Sequence, residues 1–460
     1  MTGPAAMAVP IGAHVDAAAT AGIREVDGRP VAWFRVAGGK HHGAIGAAGA
    51  ITIARAVTMG IESRLPIVGE LDTSGAELRD NVAALDGWGR IARAFAHASG
   101  VVPTLLTVIG PCVSGPALLL GLVDLVVMTS DAFAFVSGPD SVAEFTGMEV
   151  DRLTLGGAGM HDTRSGVASI VVGTADEAVD TVATLLSYLP SHHLDDPPIV
   201  ATADSATRAC AEAARVVPAS ASRSYDVRVV IEDVLDELTF SELRAGYAPN
   251  MVTGLGRLGG RAVGVVANQP AHRAGTLDIE ASRKAARFVE WCDAFNVAII
   301  TFVDTPGFEP GRDLEWRGMI RHGAQLVHAY SAATVPRICV VLRKAYGGAY
   351  IVMDSRGVGN DVCLAWPGAE IAVMGAPGAV QILHGRRLRD LTDEARATEQ
   401  QTLVDEYEVA FSNPYRAAER GYVDAVIEPS DTRRVLVSTL DVLSTKRDRA
   451  RPRRHSNGPL

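Results

Sequence analysis

A chain that polarises a carbonyl through its own backbone needs residues without bulk at the point of contact. The run Lys344-Ala345-Tyr346-Gly347-Gly348-Ala349-Tyr350 supplies them, directly after the apolar stretch 335–342. N–H groups held in such a bend can aim at an oxygen that gains negative charge during a reaction. No Ser, Cys or His lies in this run, so it points to backbone stabilisation of an oxyanion rather than side-chain attack. A second run, Gly110-Pro111-Cys112-Val113-Ser114-Gly115-Pro116-Ala117, follows the stretch 102–109. Other candidates carry less. His161-Asp162 lies near Ser165, but sequence neighbours rarely face one another as a triad, so this segment reads as a binding loop. Gly254-Leu255-Gly256-Arg257-Leu258-Gly259 matches GxGxxG, yet a strand-like stretch follows it where a dinucleotide site needs a helix; it reads as a hairpin turn. His192-His193 lacks acidic partners at metal spacing, and no metal site is expected.

The elements around the two turns repeat. In each half the small-residue pair begins eleven positions after a proline, Pro103 or Pro336. Asp27-Gly28-Arg29-Pro30-Val31 echoes Gly259-Gly260-Arg261-Ala262-Val263, and the two offsets, 232 and 233 residues, agree. A shared offset argues for a duplicated domain. Short β-branched runs alternate with alanine-rich amphipathic stretches. Strands are expected at 31–36, 64–71 and 102–109, with helices at 47–60 and 80–98. The second half has strands at 262–268, 297–303 and 335–342, with helices at 279–295 and 317–332. Continuous apolar strands separated by helices imply an α/β layer fold with a buried parallel sheet. Proline and small polar residues over 191–224 mark a linker, with a surface helix at 207–216; the boundary is placed near 220, giving domains 1–220 and 221–460.

The bulk numbers exclude several classes. The 460 residues are 48% hydrophobic and 21% charged, ordinary for two or three globular domains. A formal charge of −10 disfavours nucleic acid as a partner. Cys112, Cys210, Cys292, Cys339 and Cys363 are dispersed, without CxxC, and read as reduced cytoplasmic thiols used in packing. No signal peptide is expected at 1–15, and no apolar run approaches the ~18 residues of a membrane span. The basic stretch 446–460 reads as a solvated tail or a subunit contact.

At the level of ordered motifs the chain resembles the carboxyltransferase (β) subunits of biotin-dependent acyl-CoA carboxylases of the propionyl-/acetyl-CoA type. The resemblance covers about 25–460 and is carried by Gly264-Val265-Val266-Ala267-Asn268-Gln269-Pro270, Phe302-Val303-Asp304-Thr305-Pro306-Gly307-Phe308 and Ile320-Arg321-His322-Gly323-Ala324. It continues through Arg343-Lys344 into the turn at 346–350, through Asn413-Pro414-Tyr415, and to the ending His455-Ser456-Asn457-Gly458-Pro459-Leu460. The resemblance implies two tandem crotonase-like domains, the first holding an acyl-CoA and the second meeting carboxybiotin. It implies Gly348 and Ala349 as the amide pair for biotin, and Ser114 and Gly115 as the pair for the acyl thioester. Gly138 and Pro139, with Gly156, Gly157 and Ala158, would belong to the CoA-side pocket; Tyr350 and Ile351, at the biotin-side turn, would bind substrate, with Ile351 at a position that tunes acyl preference and, being apolar, suiting acetyl-type or broad-range members. It further implies a biotinylated α subunit as partner, because the chain has no Met-Lys-Met site, and a homo-oligomer built as a dimer of trimers.

The first half departs from the family pattern. Ser114-Gly115 stands where the family has Gly-Gly, Pro116 follows without an N–H, and Glu77 replaces an expected Arg. Gly38-Gly39-Lys40-His41-His42-Gly43 lacks the family's acid. If the true pair were Gly115 and Pro116, that oxyanion hole would be half empty. The alternatives are a relative with an unusual acceptor, a decarboxylase, or a non-catalytic partner in a mixed oligomer.

Overall fold

The computed structural model of the chain describes residues 9–10, 18–39, 41–220, 222–446, 448 and 457–459. Lys40, residues 1–8 and 11–15 of the N-terminal stretch where no signal peptide is expected, and most of the basic tail lie outside the described residues, as do His455, Ser456 and Leu460 of the family-like ending. The chain forms two compact units. The second gathers 199–242, 248–293 and the chain from 297 onward; the first gathers the rest. The division therefore falls at 198/199 rather than near 220. The reason is what the connecting segment packs on. Cys210, Ala213, Tyr225, Val227 and Ile231 are buried in the core of the second unit. Arg433, fully buried, donates to the Ser205 carbonyl (2.8 Å) and to Asp236 (2.7 Å). The expected helix at 207–216 is present as Ala211–Val216.

The first unit holds strands β1 (Val9–Pro10), β2 (Ala19–Val26), β3 (Arg29–Val36), β4 (Ile67–Thr73), β5 (Thr104–Val113), β6 (Leu125–Thr129), β7 (Phe133–Phe135) and β8 (Ile170–Val172). They join in the order β1-β2-β3-β4-β5-β6-β8, with β7 on β5. The second sheet uses β9 (Ser241–Leu243), β10 (Met251–Leu258), β11 (Arg261–Asn268), β12 (Ala298–Thr305), β13 (Arg337–Tyr346), β14 (Val362–Ala365), β15 (Glu370–Ala372) and β16 (Ala425–Val426). Its order is β9-β10-β11-β12-β13-β14-β16, with β15 on β13. The two topologies are the same, as a duplication requires.

The repeat extends to single hydrogen bonds. Ile45 N donates to Gly75 O at 2.8 Å, and Leu277 N to Gly307 O at 3.1 Å. Glu77 N donates to Ile45 O at 3.1 Å, and Glu309 N to Leu277 O at 2.9 Å. Each pair is offset by 232 residues. In each half a Thr hydroxyl, Thr73 or Thr305, accepts from the glycine amide two residues on (3.1 and 3.3 Å).

The central strands read as unbroken apolar runs because both faces are covered. Ile300, Phe302, Ile338, Val340 and Leu342 are almost wholly buried in one core, and Ala32, Phe34, Leu106 and Val108 in the other. Gly254 and Gly256 lie inside β10 rather than in a loop, where side chains would strike Phe240 and Leu235. Gly259 and Gly260, both at positive φ, make the β10–β11 hairpin turn, which is the reading the sequence supports over a dinucleotide site.

Candidate oxyanion turns

Both central strands run further than their apolar stretches. β5 continues through Gly110-Pro111-Cys112-Val113, and β13 through Arg343-Lys344-Ala345-Tyr346, residues expected to be turn. Short strands arriving later in the chain hold them extended. Pro111, Cys112 and Val113 pair with Phe133, Ala134 and Phe135, while Lys344, Ala345 and Tyr346 pair with Glu370, Ile371 and Ala372. The bends therefore begin at Ser114 and Gly347, which occupy the same place in the two halves. Ser114 has φ 63° and Gly347 φ 60°. In this left-handed region glycine is at ease and serine is strained.

The second turn presents two amides. Gly347–Val352 forms a short helix that starts at the bend. The N–H groups of Gly348 and Ala349 lie in its first turn, where an α-helix offers no carbonyl. Gly347, Gly348, Tyr350 and Ile351 line a cavity of about 880 Å³, walled further by Tyr407 and Phe411. Ala349 is fully buried and does not itself line that cavity. A Cβ on Gly348 would meet the Phe308 ring at 3.6 Å.

Charged groups buried below this turn fix its position. Arg343 Nε donates to Asp304 at 3.0 Å, and the Lys344 amide donates to the other carboxylate oxygen at 3.2 Å. Burial raises the Asp304 carboxyl above its ordinary range, against the pull of Arg343 and Lys344. It lowers the Lys344 ammonium. The same guanidinium donates to the carbonyls of Ser220 (2.8 Å) and Arg223 (2.7 Å), tying the connecting segment to β13. At the start of the strand Arg337 meets the fully buried Asp354 at 2.5 Å. Burial pushes that carboxyl up to about 7, with Arg337 pulling the other way. Tyr346 donates to Glu370, and burial followed by this bond raises its hydroxyl.

The first turn is poorer in donors. The Ser114 amide donates to the Phe135 carbonyl at 2.9 Å, inside the β5–β7 ladder. It is committed, so Ser114 does not offer the N–H expected of it. Ala117 N is bound to Ser114 O at 3.1 Å. Pro116 has no N–H. Among the described residues the Gly115 amide alone meets no acceptor in this bend. Ser114, Gly115 and Pro116 line a cavity of about 230 Å³ together with Trp88, Ala76 and Leu118. Cys112 lies buried two residues before the bend, and burial pushes its thiol up to about 12.

The remaining expected residues lie elsewhere in the first unit. Gly138 caps the helix Pro139–Thr146, and Gly156 ends the helix Arg152–Gly156. Gly156 is pressed so closely on β7 that a Cβ would fall 2.1 Å from the Ala134 carbonyl. The amides of Gly157 and Ala158 bind Leu153 O (2.9 Å) and Ala132 O (3.0 Å). None of the five lines the cavity at Ser114. His161 does reach Ser165: Nδ1 and Oγ are 2.7 Å apart, and Nε2 meets the Ala134 carbonyl at 2.8 Å. A carbonyl, not Asp162, orients the ring, so no Ser/His/Asp triad forms. Glu77 repeats Glu309: each faces the residue 36 positions earlier, His41 at 3.7 Å and Arg273 at 3.0 Å.

Sequence reasoning gave no role to Trp88 or to the buried carboxylates Asp304 and Asp354. Asp304 sits inside the family-like run 302–308, and its signal was an acid in an otherwise apolar strand. Trp88, on the helix Val82–Ala98, carries no local signal at all.

Residues 7–457 match the model of the carboxyl transferase domain. The chain is 46% identical over 441 residues to the carboxyltransferase subunit of a propionyl-CoA carboxylase from Haloferax mediterranei, covering 95% of this chain and 85% of that protein. It is 40% identical over 440 residues to the alpha subunit of a methylmalonyl-CoA decarboxylase from Veillonella parvula, covering 95% and 84%. Its fold superposes on a transcarboxylase 12S crystal structure with a TM-score of 0.94 at 37% identity, covering 98% of this chain and 90% of that one. That structure is described as a hexamer with hydrolysed methylmalonyl-coenzyme A bound.

Proposed function

The chain belongs to the carboxyl transferase domain family, and from that premise we propose that it moves a carboxyl group from carboxybiotin to the α-carbon of an acyl-CoA. It is a carboxyltransferase with two tandem crotonase-like domains. In this reading the second unit meets carboxybiotin and the first holds the acyl thioester. The observation that carries it is the bend at Gly347, where the first helical turn leaves the Gly348 and Ala349 amides without helical acceptors and Gly348 lines a cavity of about 880 Å³.

The chemistry suits such a pair. Carboxybiotin releases CO2, and the electron pair of the broken N–C bond delocalises onto the ureido oxygen. Two preorganised N–H donors stabilise that oxygen, each by about 2.7–4 kcal/mol where single donors have been removed. The ureido nitrogen then takes the α-proton of the acyl-CoA, which explains why neither turn supplies a side-chain base. Tyr350 and Ile351 shape the wall of the biotin-side cavity. A biotinylated partner subunit, a six-membered homo-oligomer arranged as a dimer of trimers and a cytoplasmic setting complete the proposal. The hexameric relative supports the oligomer. Among the described residues no helix is long and apolar enough to cross a membrane.

The test is a mixture of this chain with a biotinylated biotin-carboxylase partner, ATP, bicarbonate and a panel of acyl-CoAs. Mass spectrometry should find a product heavier by one carboxyl group. Failure with every acyl-CoA, while the partner's biotin becomes carboxylated, would overturn the reading.

A further inference from the structure

The cavity at the first turn is short of one main-chain donor, and an indole lies against the gap. Ser114's amide is taken by Phe135, and Pro116 has none to give. Trp88 lines the same cavity. Its Nε1 is buried and has no hydrogen-bond partner. A Cβ built on Gly115 would stand 3.0 Å from both Nε1 and Cδ1 of the indole. The N–H edge of the ring therefore lies directly against the residue that holds the one uncommitted amide. A buried donor left unpaired costs about 1–3 kcal/mol, a cost that a bound acceptor would remove.

We propose that the Trp88 indole N–H is the second donor of the first oxyanion hole, acting with the Gly115 amide on the carbonyl oxygen of the acyl thioester. The inference rests on the function proposed above and supplies the donor that Pro116 lacks. When the α-proton leaves for the ureido nitrogen of biotin, the C–H pair forms the enolate C=C bond. The carbonyl π pair moves onto oxygen, between Gly115 N–H and Trp88 Nε1–H. The enolate carbon then bonds to CO2 and the carbonyl re-forms, so the oxygen returns to neutral without any proton passing through the indole. Gly115 is required on two counts: it supplies an amide, and a larger residue would strike the ring.

The test is equilibrium binding of propionyl-CoA and of S-propyl-CoA, a thioether with CH2 in place of the carbonyl, to the full chain and to Trp88→Phe. Phenylalanine keeps an aromatic wall and deletes the donor. The expected result is roughly 3- to 10-fold weaker binding of the thioester with thioether binding unchanged, the range that one hydrogen bond supplies. Equal loss with both ligands, or loss with neither, overturns the proposal by making Trp88 a wall only. Because binding is read without turnover, this outcome is independent of whether the wild type transfers a carboxyl group. Should Trp88→Phe not fold, Pro116→Ala carries the test. With Trp88 already donating, the restored amide should tighten propionyl-CoA relative to S-propyl-CoA by less than about threefold; a larger gain would show that the hole had been half empty and would overturn the proposal.

Discussion

The strands β5 and β13 end in equivalent bends but stand on unlike supports. β13 carries Arg337, Arg343 and Lys344, and the first two are sunk in the core against Asp354 and Asp304. At the equivalent positions β5 carries Thr104, Gly110 and Pro111. Asp72, the counterpart of Asp304, accepts from the Gly38 amide at 3.1 Å, and among the described residues it meets no cation. Buried ion pairs add little net stability, but breaking one is costly, because the remaining charge has no water. Their use here is positional: a carboxylate bonded at once to Arg343 and to the Lys344 amide leaves the second turn one place to be. Among the described residues the first turn has no such constraint, and its amides are arranged differently.

Four changes would break or sharpen this contrast. Asp304→Asn should have the largest effect, because it strands Arg343; a loss of about 3–5 kcal/mol is expected in urea unfolding. A loss below about 1 kcal/mol would mean that the pair does not brace the turn. Next, Ala349→Pro gives the second turn the deletion that Pro116 makes in the first. Proline is tolerated in a first helical turn, so the protein should fold while carboxyl transfer falls by about 10²–10³. Steady-state kinetics with a biotinylated partner, checked by circular dichroism, would show whether the Ala349 amide matters.

Smaller is Ser114→Gly, which makes the first bend like the second. Relief of a left-handed serine should stabilise the protein by about 1 kcal/mol, seen as a raised Tm. No gain would argue that the seryl backbone is unstrained. The finest test is a slope. Burial holds the Asp354 carboxyl at about 7, above its unfolded value of 3.8, so the folded state binds the extra proton between those limits. Its contribution to stability is thus greatest at low pH and declines as pH rises through 7. The stability of wild type minus that of Asp354→Asn should fall from pH 4 to 7.5, and a flat difference would contradict the placement of that acid.

Much of this was legible in the residues. The shared offset exposed the duplication, and the unbroken apolar runs announced parallel strands covered on both faces. The glycines at 347 and 348 marked the second bend. The rest depended on distant partners. The three-residue strands Phe133–Phe135 and Glu370–Ala372 are too short to carry a period, yet they extend β5 and β13 and decide where each bend starts. Ser114 looked like a donor because its acceptor, Phe135, arrives 21 residues later. The segment 191–224 looked like a linker because its prolines and serines say nothing about Arg433, which binds the Ser205 carbonyl within it.

Arg343 gives that fastening a second anchor. One guanidinium grips a carboxylate beneath the second turn and, with its other end, the carbonyls of Ser220 and Arg223. A protease that nicked the peptide between those carbonyls would leave two ends still held by the same side chain. Cleavage there would be silent until a denaturant freed the fragments, and the cut protein would keep the shape of the bend at Gly347.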